Sequence, residues 1–344
     1  MKYYVVQETW DTKTGELLTQ ERITGDTKDI TWAQKQLDFL FNERLKEEKN
    51  FIEFGTVATS KTKCSFLNEK TKIRFVAYIK SSPSKTTFTA AEIILALNNY
   101  YAGDWSKVIE ALSRHEDEDI QEDWLSLSSS SFITILDAGY PVLLKESDHP
   151  PFVVYYKGDI TLLSSESSKI AVYCKRDAEE KLLLTFEHDV QELPQDVIIV
   201  TSYARIAEYA LAGPVSHKVI FVKPCGMNKY LPSVVTAEIE KHIIDKGGLV
   251  CTCFPDNTEA QMHTCSRKNE IMASIADALL VVDISQHSSG VPLISYFAGT
   301  NKNVMVYPTF PEYFKSFNNC LIKEGAYLVE NAEDIKTFLE LKED

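Results

Sequence analysis

Beyond residue 131 the chain alternates between short apolar runs and amphipathic stretches. The apolar runs are Phe132–Leu136, Ile170–Tyr173, Val197–Thr201, Val219–Lys223, Leu249–Phe254, Ala278–Ile284 and Val304–Tyr307. Several are apolar at successive positions, which is typical of strands buried on both faces of a parallel sheet. Helices are predicted between them, at about 177–188, 203–212, 234–246, 268–276 and 290–299, and a last one at about 332–342. The alternation predicts an α/β fold over residues 132–344, an extended Rossmann-like, doubly wound and mostly parallel sheet.

The first 85 residues have the pattern of a small α+β domain. Four segments are strand-like: Tyr3–Val5, Leu17–Thr19, Phe51–Thr59 and Lys72–Ile79. A capping box of Thr31 and Gln34 predicts the start of a helix. No motif in this domain carries chemistry, so the sequence assigns it no role.

Residues 86–131 are predicted to form a helical domain. A capping box of Thr89 and Glu92 opens a first helix, and Asp104 caps a second. The acidic run 115–119 is either a solvated surface or a docking site for a basic partner.

Composition narrows the class of protein. Of the 344 residues, 44% are apolar and 25% are charged, which is the balance of a folded globular chain. Only 13 residues are glycine, so an enzyme built on a glycine-rich phosphate loop is disfavoured. The chain has no apolar run of the roughly 20 residues that span a bilayer, and its first residues lack the apolar core of a signal peptide. The 7 scattered cysteines favour reduced thiols, so we expect a cytoplasmic protein without a membrane partner.

Charge is distributed unevenly. Residues 1–85 carry 15 basic and 12 acidic side chains, a balance of +3. Residues 86–140 carry 2 basic and 10 acidic side chains, and residues 141–344 carry 19 basic and 28 acidic side chains. An acidic body disfavours a broad basic surface for duplex DNA. Contact with nucleic acid is therefore expected in a local groove.

Polar and basic side chains follow the predicted strands at the edge where open parallel sheets bind ligands. The set comprises Lys175, Arg176, Ser202, Tyr203, Arg205, Lys223, Gly226, Lys229, Arg267, Lys268, Asn269, Ser289 and Gly290. It includes 7 of the 19 basic residues of 141–344. Cations, hydroxyl groups and helix N-termini together suit phosphate groups, although polar residues are common at strand ends in any case.

Motifs spread over about 134–310 resemble the DprA/Smf family of DNA-processing proteins. The matching segments are Tyr140-Pro141, Pro150-Pro151, Tyr155–Asp159, Ser266–Ala273, Ser289–Ser295 and Asn301–Pro308. They occur in the order found in the family, which is more specific than any one motif. The resemblance implies a protein that binds single-stranded DNA without catalysis or cofactor, dimerises, and loads a RecA-type recombinase during natural transformation. The pathway is open: DNA uptake, a mobile element or defence would each fit such a chain.

The resemblance also implies roles for single residues. Arg176 falls on the arginine of the family's Gly-Ser-Arg turn, and Arg205 lies near the basic residue of a glycine-rich turn. Gly226 and Lys229 match a Gly-x-Asp loop, and the pair Arg267 and Asn269 matches an Arg-Asn motif. Phosphates are thus assigned to Lys175, Arg176, Arg205, Lys229 and Arg267, and bases or sugars to Tyr203 and Asn269.

This chain departs from the family at the loop Ser202–Ile206, which has lost its glycines, and at Cys174. A β-carbon there occupies space that the backbone would leave for a phosphate. Tyr203 is expected either to stack on a base or to pack at the edge of the core. Two further functions stay open: a nucleotide-sensing or nucleotide-processing Rossmann module, and a degenerate scaffold for protein contacts.

The sequence gives little support for a metal site or a catalytic centre. Cys251, Cys253, His263 and Cys265 lack the spacing of a zinc site, so ordinary thiols and no metal are expected. The sequence contains no G-x-S-x-G, H-E-x-x-H, G-x-G-x-x-G or P-loop pattern. We therefore expect a binding protein and not an enzyme.

Overall fold

The structure is a computed structural model. It describes residues 2–24, 29–48, 58–59, 63–68, 73–82, 88–114, 120, 122–212, 216–230, 237–310 and 316–340. The chain divides into two compact units, Met1–Thr87 and Phe88–Asp344.

The first unit is an antiparallel sheet with one long helix. Its elements are β1 (Lys2–Asp11), β2 (Leu17–Arg22), α1 (Ile30–Glu48), β3 (Ala58–Thr59), β4 (Lys63–Asn68) and β5 (Ile73–Ser82). The strand order is β2-β1-β5-β4-β3. Because side chains alternate between the two faces of a strand, one face packs against α1 through Val5, Leu37, Phe41, Cys64, Phe75 and Ala77.

The predicted capping box of Thr31 and Gln34 is wrong. The helix already begins at Ile30, and the carboxylate of Asp29 accepts a hydrogen bond from the backbone N of Thr31 at 2.8 Å. Aspartate is a strong N-cap, so the helix starts at the earlier position.

Three helices open the second unit: α2 (Ala90–Tyr100), α3 (Trp105–Ser113) and α4 (Glu122–Leu125). Both predicted caps are confirmed: Thr89 and Glu92 form a reciprocal capping box, and the carboxylate of Asp104 accepts from the N of Lys107. The acidic run 115–119 lies outside the described residues.

A nine-stranded sheet forms the body of this unit, in the order β14-β13-β12-β8-β9-β10-β11-β7-β6. The strands are β6 (Ser131–Thr134), β7 (Val153–Gly158), β8 (Lys169–Cys174), β9 (Ile198–Thr201), β10 (Val219–Val222), β11 (Leu249–Thr252), β12 (Ala278–Asp283), β13 (Asn303–Val306) and β14 (Tyr327–Leu328). The strands from β8 to β14 are parallel, whereas β6 and β7 pair antiparallel at one edge. The predicted mostly parallel, doubly wound α/β fold is confirmed.

Helices cover both faces of this sheet. They are α5 (Val142–Lys145), α6 (Glu180–Glu192), α7 (Ala204–Leu211), α8 (Ala237–Asp245), α9 (Met262–Ile275), α10 (Gly290–Gly299), α11 (Asn318–Lys323) and α12 (Ala332–Glu340). A separate cluster of buried apolar side chains lies against each face. Because β8 to β12 are buried on both faces, their sequences are apolar at almost every position.

Candidate nucleic-acid interface

The strand order locates the crevice of the sheet. From β8 the chain continues to β9, β10 and β11 on one side, then crosses back to β12 on the other side of β8. Neighbouring parallel strands whose connections run in opposite directions leave a crevice at their carboxyl ends. At this place lies a cavity of about 790 Å³, which we call the rim cavity.

Most of the predicted site residues line the rim cavity. They are Lys175, Arg176, Ser202, Tyr203, Arg205, Lys268, Asn269 and Ser289. They come from the segments after β8 and β9, from α9 and from the start of α10. The N-termini of α7 and α10 also border the cavity, through Tyr203 and Ser289. Backbone N–H groups and cations therefore share one volume, which suits an anion.

Lys268 is the most unusual side chain of the cavity. It is buried, and its Nζ donates a hydrogen bond to Ser202 Oγ at 3.0 Å and lies 5.4 Å from the centre of the Tyr203 ring. No carboxylate of the described residues pairs with it. Burial lowers the pKa of Lys268 to about 8, because a desolvated ammonium without a counter-ion is costly. An anion in the cavity would stabilise its charge.

The other cations of the cavity differ in how far they are neutralised. Lys175 Nζ lies 3.1 Å from Asp283 Oδ2, and both side chains are buried. Arg205 donates to Glu180 at 2.8 Å in an exposed pair. Arg176 is exposed and has no carboxylate partner in the described part of the chain. Arg176 and Lys268 are therefore the cations best placed to meet a ligand.

Tyr203 fills the place of the missing glycines. Its ring meets Tyr173 edge-on, with the centroids 5.0 Å apart. Burial and the neighbouring Tyr173 raise the pKa of Tyr203 well above its ordinary value, so the phenol stays protonated. Its backbone is extended, at φ −121° and ψ 119°, so the absence of glycine introduces no strain. The geometry favours packing at the edge of the core over stacking on a base.

Gly290 leaves room for the Tyr173 ring. A β-carbon at Gly290 would lie 2.3 Å from Tyr173 Cζ, far inside van der Waals contact. The glycine at the start of α10 thus sets the floor of the rim cavity through Tyr173, which lines it.

We expect Gly290→Ala to destabilise the fold by about 1–3 kcal/mol, because the aromatic ring must move. Gly299→Ala in the same helix is the matched control, since a β-carbon there meets open space. That change should stabilise slightly, by about 0.5 kcal/mol. Urea unfolding of both variants measures the difference, and equal stabilities would contradict the packing described here.

The structure does not bring Arg267, Gly226 or Lys229 into the rim cavity. Arg267 bonds to Glu270 at 2.5 Å and to the carbonyl of His149. It lines a second cavity of about 440 Å³, which we call the side cavity. Neighbouring residues on a helix point about 100° apart, and on α9 Arg267 is directed to the side cavity whereas Lys268 is directed to the rim cavity.

Gly226 and Lys229 belong to a packed loop. A β-carbon at Gly226 would lie 2.1 Å from the carbonyl oxygen of Pro255, so the glycine permits a close approach of two loops. Lys229 pairs with Glu259 at 2.7 Å. Nearby, Lys223 is fully buried and pairs with Glu240 at 2.5 Å.

The sequence analysis did not predict the first turns of α9 or the residues that they contribute to the rim cavity. The helix was predicted from 268, but it begins at Met262, after the cap residue Gln261, whose backbone N donates to Thr264 Oγ1 at 2.8 Å. Met262 is 89% exposed and lines the rim cavity together with Gln261 and Cys265. A glutamine cap is a weak signal, which explains the miss.

Cys251 and Cys253 are buried free thiols, whereas Cys265 is half-buried. Burial raises the pKa of Cys251 to about 12 and that of Cys253 to about 11. Within the described ranges no cluster of three or more His, Cys, Asp or Glu side chains could hold a metal ion. No helix in the described part of the chain is both long and apolar enough to cross a membrane.

An open, mostly parallel sheet with a cationic cavity at its switch point defines a doubly wound α/β protein whose cavity suits phosphate-bearing ligands. The sequence model of the family described as DNA recombination-mediator protein A matches residues 131–340. The chain belongs to this family. The resemblance drawn from the sequence, and with it the general function of DNA processing in recombination, is confirmed.

Individual relatives agree with this assignment. The DNA processing protein DprA of Streptococcus pneumoniae is 24% identical over 206 residues, which cover 59% of this chain and 72% of the relative. The solved structure of DNA processing protein A from that organism has a TM-score of 0.57 at 22% identity and covers 74% of this chain and 94% of its own. The structure from Helicobacter pylori has a TM-score of 0.51 at 20% identity, with coverages of 61% and 97%. These two likenesses establish the fold.

Proposed function

We propose that this protein binds single-stranded DNA in the rim cavity and performs no bond chemistry on it. Membership of a recombination-mediator family supports a DNA ligand. The relative from Helicobacter pylori is described with a single-stranded DNA binding mode, which supports a single strand over a duplex. The acidic balance of residues 86–344 also disfavours a broad duplex-binding surface.

The observation that carries the proposal is the buried ammonium of Lys268. Its charge has no carboxylate partner among the described residues, and it faces a cavity that Arg176 and two helix N-termini also border. A backbone phosphate would satisfy these groups together. Because Lys175 and Arg205 already pair with carboxylates, we expect only a few phosphates to be neutralised here.

The test is a fluorescence-anisotropy titration of the full chain with labelled oligo-dT at several salt concentrations. Arg176→Ala should weaken binding and reduce the slope of log affinity against log salt by about 0.7, the loss of one phosphate contact. Arg114→Ala is the matched control: Arg114 is exposed, pairs with Glu110 on α3 and lines neither cavity.

Equal effects of the two substitutions would contradict a specific role of the rim cavity. A thermal-shift experiment with mononucleotides separates the alternative function. If a mononucleotide stabilises the protein and oligo-dT does not, the assigned function would be nucleotide sensing and not DNA binding. A chain that binds neither would be a scaffold for protein contacts.

The resemblance to the family supports two further proposals. We propose that the protein acts as a homodimer in the cytoplasm and delivers the bound strand to a RecA-type recombinase. Analytical ultracentrifugation and a filament-formation assay on oligo-dT with the recombinase present test these two points. A monomer that leaves filament formation unchanged would contradict both.

A further inference from the structure

Helix α9 presents one of its faces to the rim cavity. Met262, Cys265 and Asn269 line the cavity at spacings of three and four residues, which places them on one side of the helix. Lys268 lines the cavity beside Asn269. Met262 is the first residue of α9, so Lys268 lies six residues, or about 9 Å of helix axis, further along. Since Met262 is almost fully exposed and Lys268 is buried, this face leads from the mouth of the cavity to its interior.

Met262 differs from the other methionines that the structure describes. Met227, Met272 and Met305 are fully buried in the two apolar clusters that cover the sheet. Among these described methionines, only Met262 extends into solvent. An isolated exposed apolar residue needs no explanation by itself. At the mouth of a cationic cavity, however, such a side chain is within reach of the ligand that the cavity binds.

The other large apolar side chains of the cavity are already packed. Tyr173 is buried, and the half-buried Tyr203 meets it edge-on with the ring centroids 5.0 Å apart. Leu183 and Ile206 are buried in the core of the sheet. Among the described residues that line the rim cavity, Met262 is therefore the large apolar side chain that remains exposed.

A strand that is held through its phosphates still has to place its bases. Stacking of bases on protein side chains is tolerant of sequence, because every base has a π-face. A methionine thioether is polarizable, makes favourable contacts with aromatic rings, and has three rotatable bonds with which to follow rings of different size. A methionine at the mouth of the cavity can thus take the part that an aromatic platform plays in other proteins that bind single strands.

We propose that Met262 contacts a base of the single strand whose phosphates lie at Lys268 and Arg176, and that it does so for every base. This inference rests on the proposed function, because it needs a strand in the rim cavity. It assigns the interior of the cavity to phosphate and its mouth to a base. The contact adds affinity without adding sequence preference.

The first experiment measures the anisotropy of two labelled ligands with the full chain: oligo-dT, and an oligomer of the same length whose nucleotides lack bases. Met262→Ala should weaken binding of oligo-dT about three- to tenfold and leave binding of the base-free oligomer unchanged. The salt dependence should also stay unchanged, because no phosphate contact is lost. Met262→Leu keeps an apolar side chain of similar size and should retain most of the affinity. The matched control is Leu184→Ala, which removes an exposed apolar side chain of α6 that does not line the cavity.

The second experiment uses the chemistry of the thioether. Hydrogen peroxide transfers one oxygen atom to the Met262 sulfur, which gives the polar sulfoxide and water. Dithiothreitol then reduces cysteine sulfenic acids and disulfides but not the sulfoxide, which methionine sulfoxide reductase reverses. Treated natural chain should lose affinity for oligo-dT as Met262→Ala does, and the reductase should restore it. Met262→Leu should bind equally well before and after the treatment, and peptide mass spectrometry locates the added oxygen.

The outcomes separate this inference from the proposed function. If Met262→Ala binds oligo-dT as tightly as the natural chain while Arg176→Ala binds it more weakly, the inference is overturned and the proposed function stands. Equal losses for oligo-dT and the base-free oligomer would also overturn it, because the side chain would then act on the backbone of the strand. A loss confined to one of oligo-dT, oligo-dC and oligo-dA would overturn the tolerance of sequence. Normal binding by Arg176→Ala and Lys268→Met would refute the proposed function and this inference together.

Discussion

Lys268→Met is expected to reduce the affinity of the protein for oligo-dT by about 10- to 100-fold while leaving the fold intact. A hydrogen bond to a charged group contributes about 1.5–3 kcal/mol, which is the range of this loss. Methionine fills a similar volume and removes a charge that is buried without a counter-ion. Stability should therefore stay equal or rise, which separates lost binding from unfolding.

The pH dependence follows from the lowered pKa of Lys268. Affinity of the natural chain for oligo-dT should fall as pH rises through about 8, because the amine becomes neutral. The unfolded chain binds this proton up to a higher pH than the folded chain does. Between about 8 and the ordinary value of 10.5 the stability of the natural chain should thus rise relative to Lys268→Met.

The measurements are anisotropy titrations and urea unfolding at pH 7 and pH 9. The Lys268→Arg side chain stays charged at pH 7 and at pH 9, so this variant should bind oligo-dT equally well at both pH values. The affinity of Lys268→Met should not fall between pH 7 and pH 9. An affinity of the natural chain that does not change between pH 7 and pH 9 would mean that Lys268 does not meet the phosphate.

Glu240→Ala is expected to destabilise the protein by about 3–5 kcal/mol. It leaves the ammonium of Lys223 buried, where the described residues offer it the carbonyl of Met227 at 3.0 Å and the Tyr230 ring at 4.6 Å but no other carboxylate. A buried charge that has lost its partner costs far more than the pair contributes. Urea unfolding, followed by circular dichroism, measures the change.

The combined Lys223→Met and Glu240→Leu variant should recover most of that loss, because it removes both charges together. The exposed pair of Arg205 and Glu180 supplies the control: Glu180→Ala should cost less than about 1 kcal/mol. Equal costs of Glu240→Ala and Glu180→Ala would contradict the burial of the first pair.

The apolar runs were sufficient to predict the central sheet. The runs at 170–173, 219–223 and 278–284 became β8, β10 and β12, because strands covered on both faces are apolar at most positions. The strand β7 (Val153–Gly158) was not among the predicted apolar runs. Its last residues are half-buried or exposed near the sheet edge, so polar and aromatic side chains obscure the pattern.

The site was harder to predict than the fold. Strand ends located Lys175, Arg176 and Lys268 correctly at the crevice. The carboxylates that pair with predicted cations come from other segments, as Asp283 does for Lys175, and nothing local in the sequence indicates such tertiary contacts. The side on which Arg267 emerges from α9 depended on a helix start that the sequence did not reveal.

The pairing of β8 with β12 has a consequence for synthesis on the ribosome. The backbone N of Lys169 donates to the carboxylate of Asp277 at 2.8 Å across 108 positions, and Gly290 seats the Tyr173 ring from still further along the chain. Such long-range contacts form slowly, after most of the intervening chain has been made. Because the residues that line the rim cavity run from Tyr173 to Ser289, the nascent polypeptide cannot complete this cavity until the ribosome has made the chain beyond Ser289.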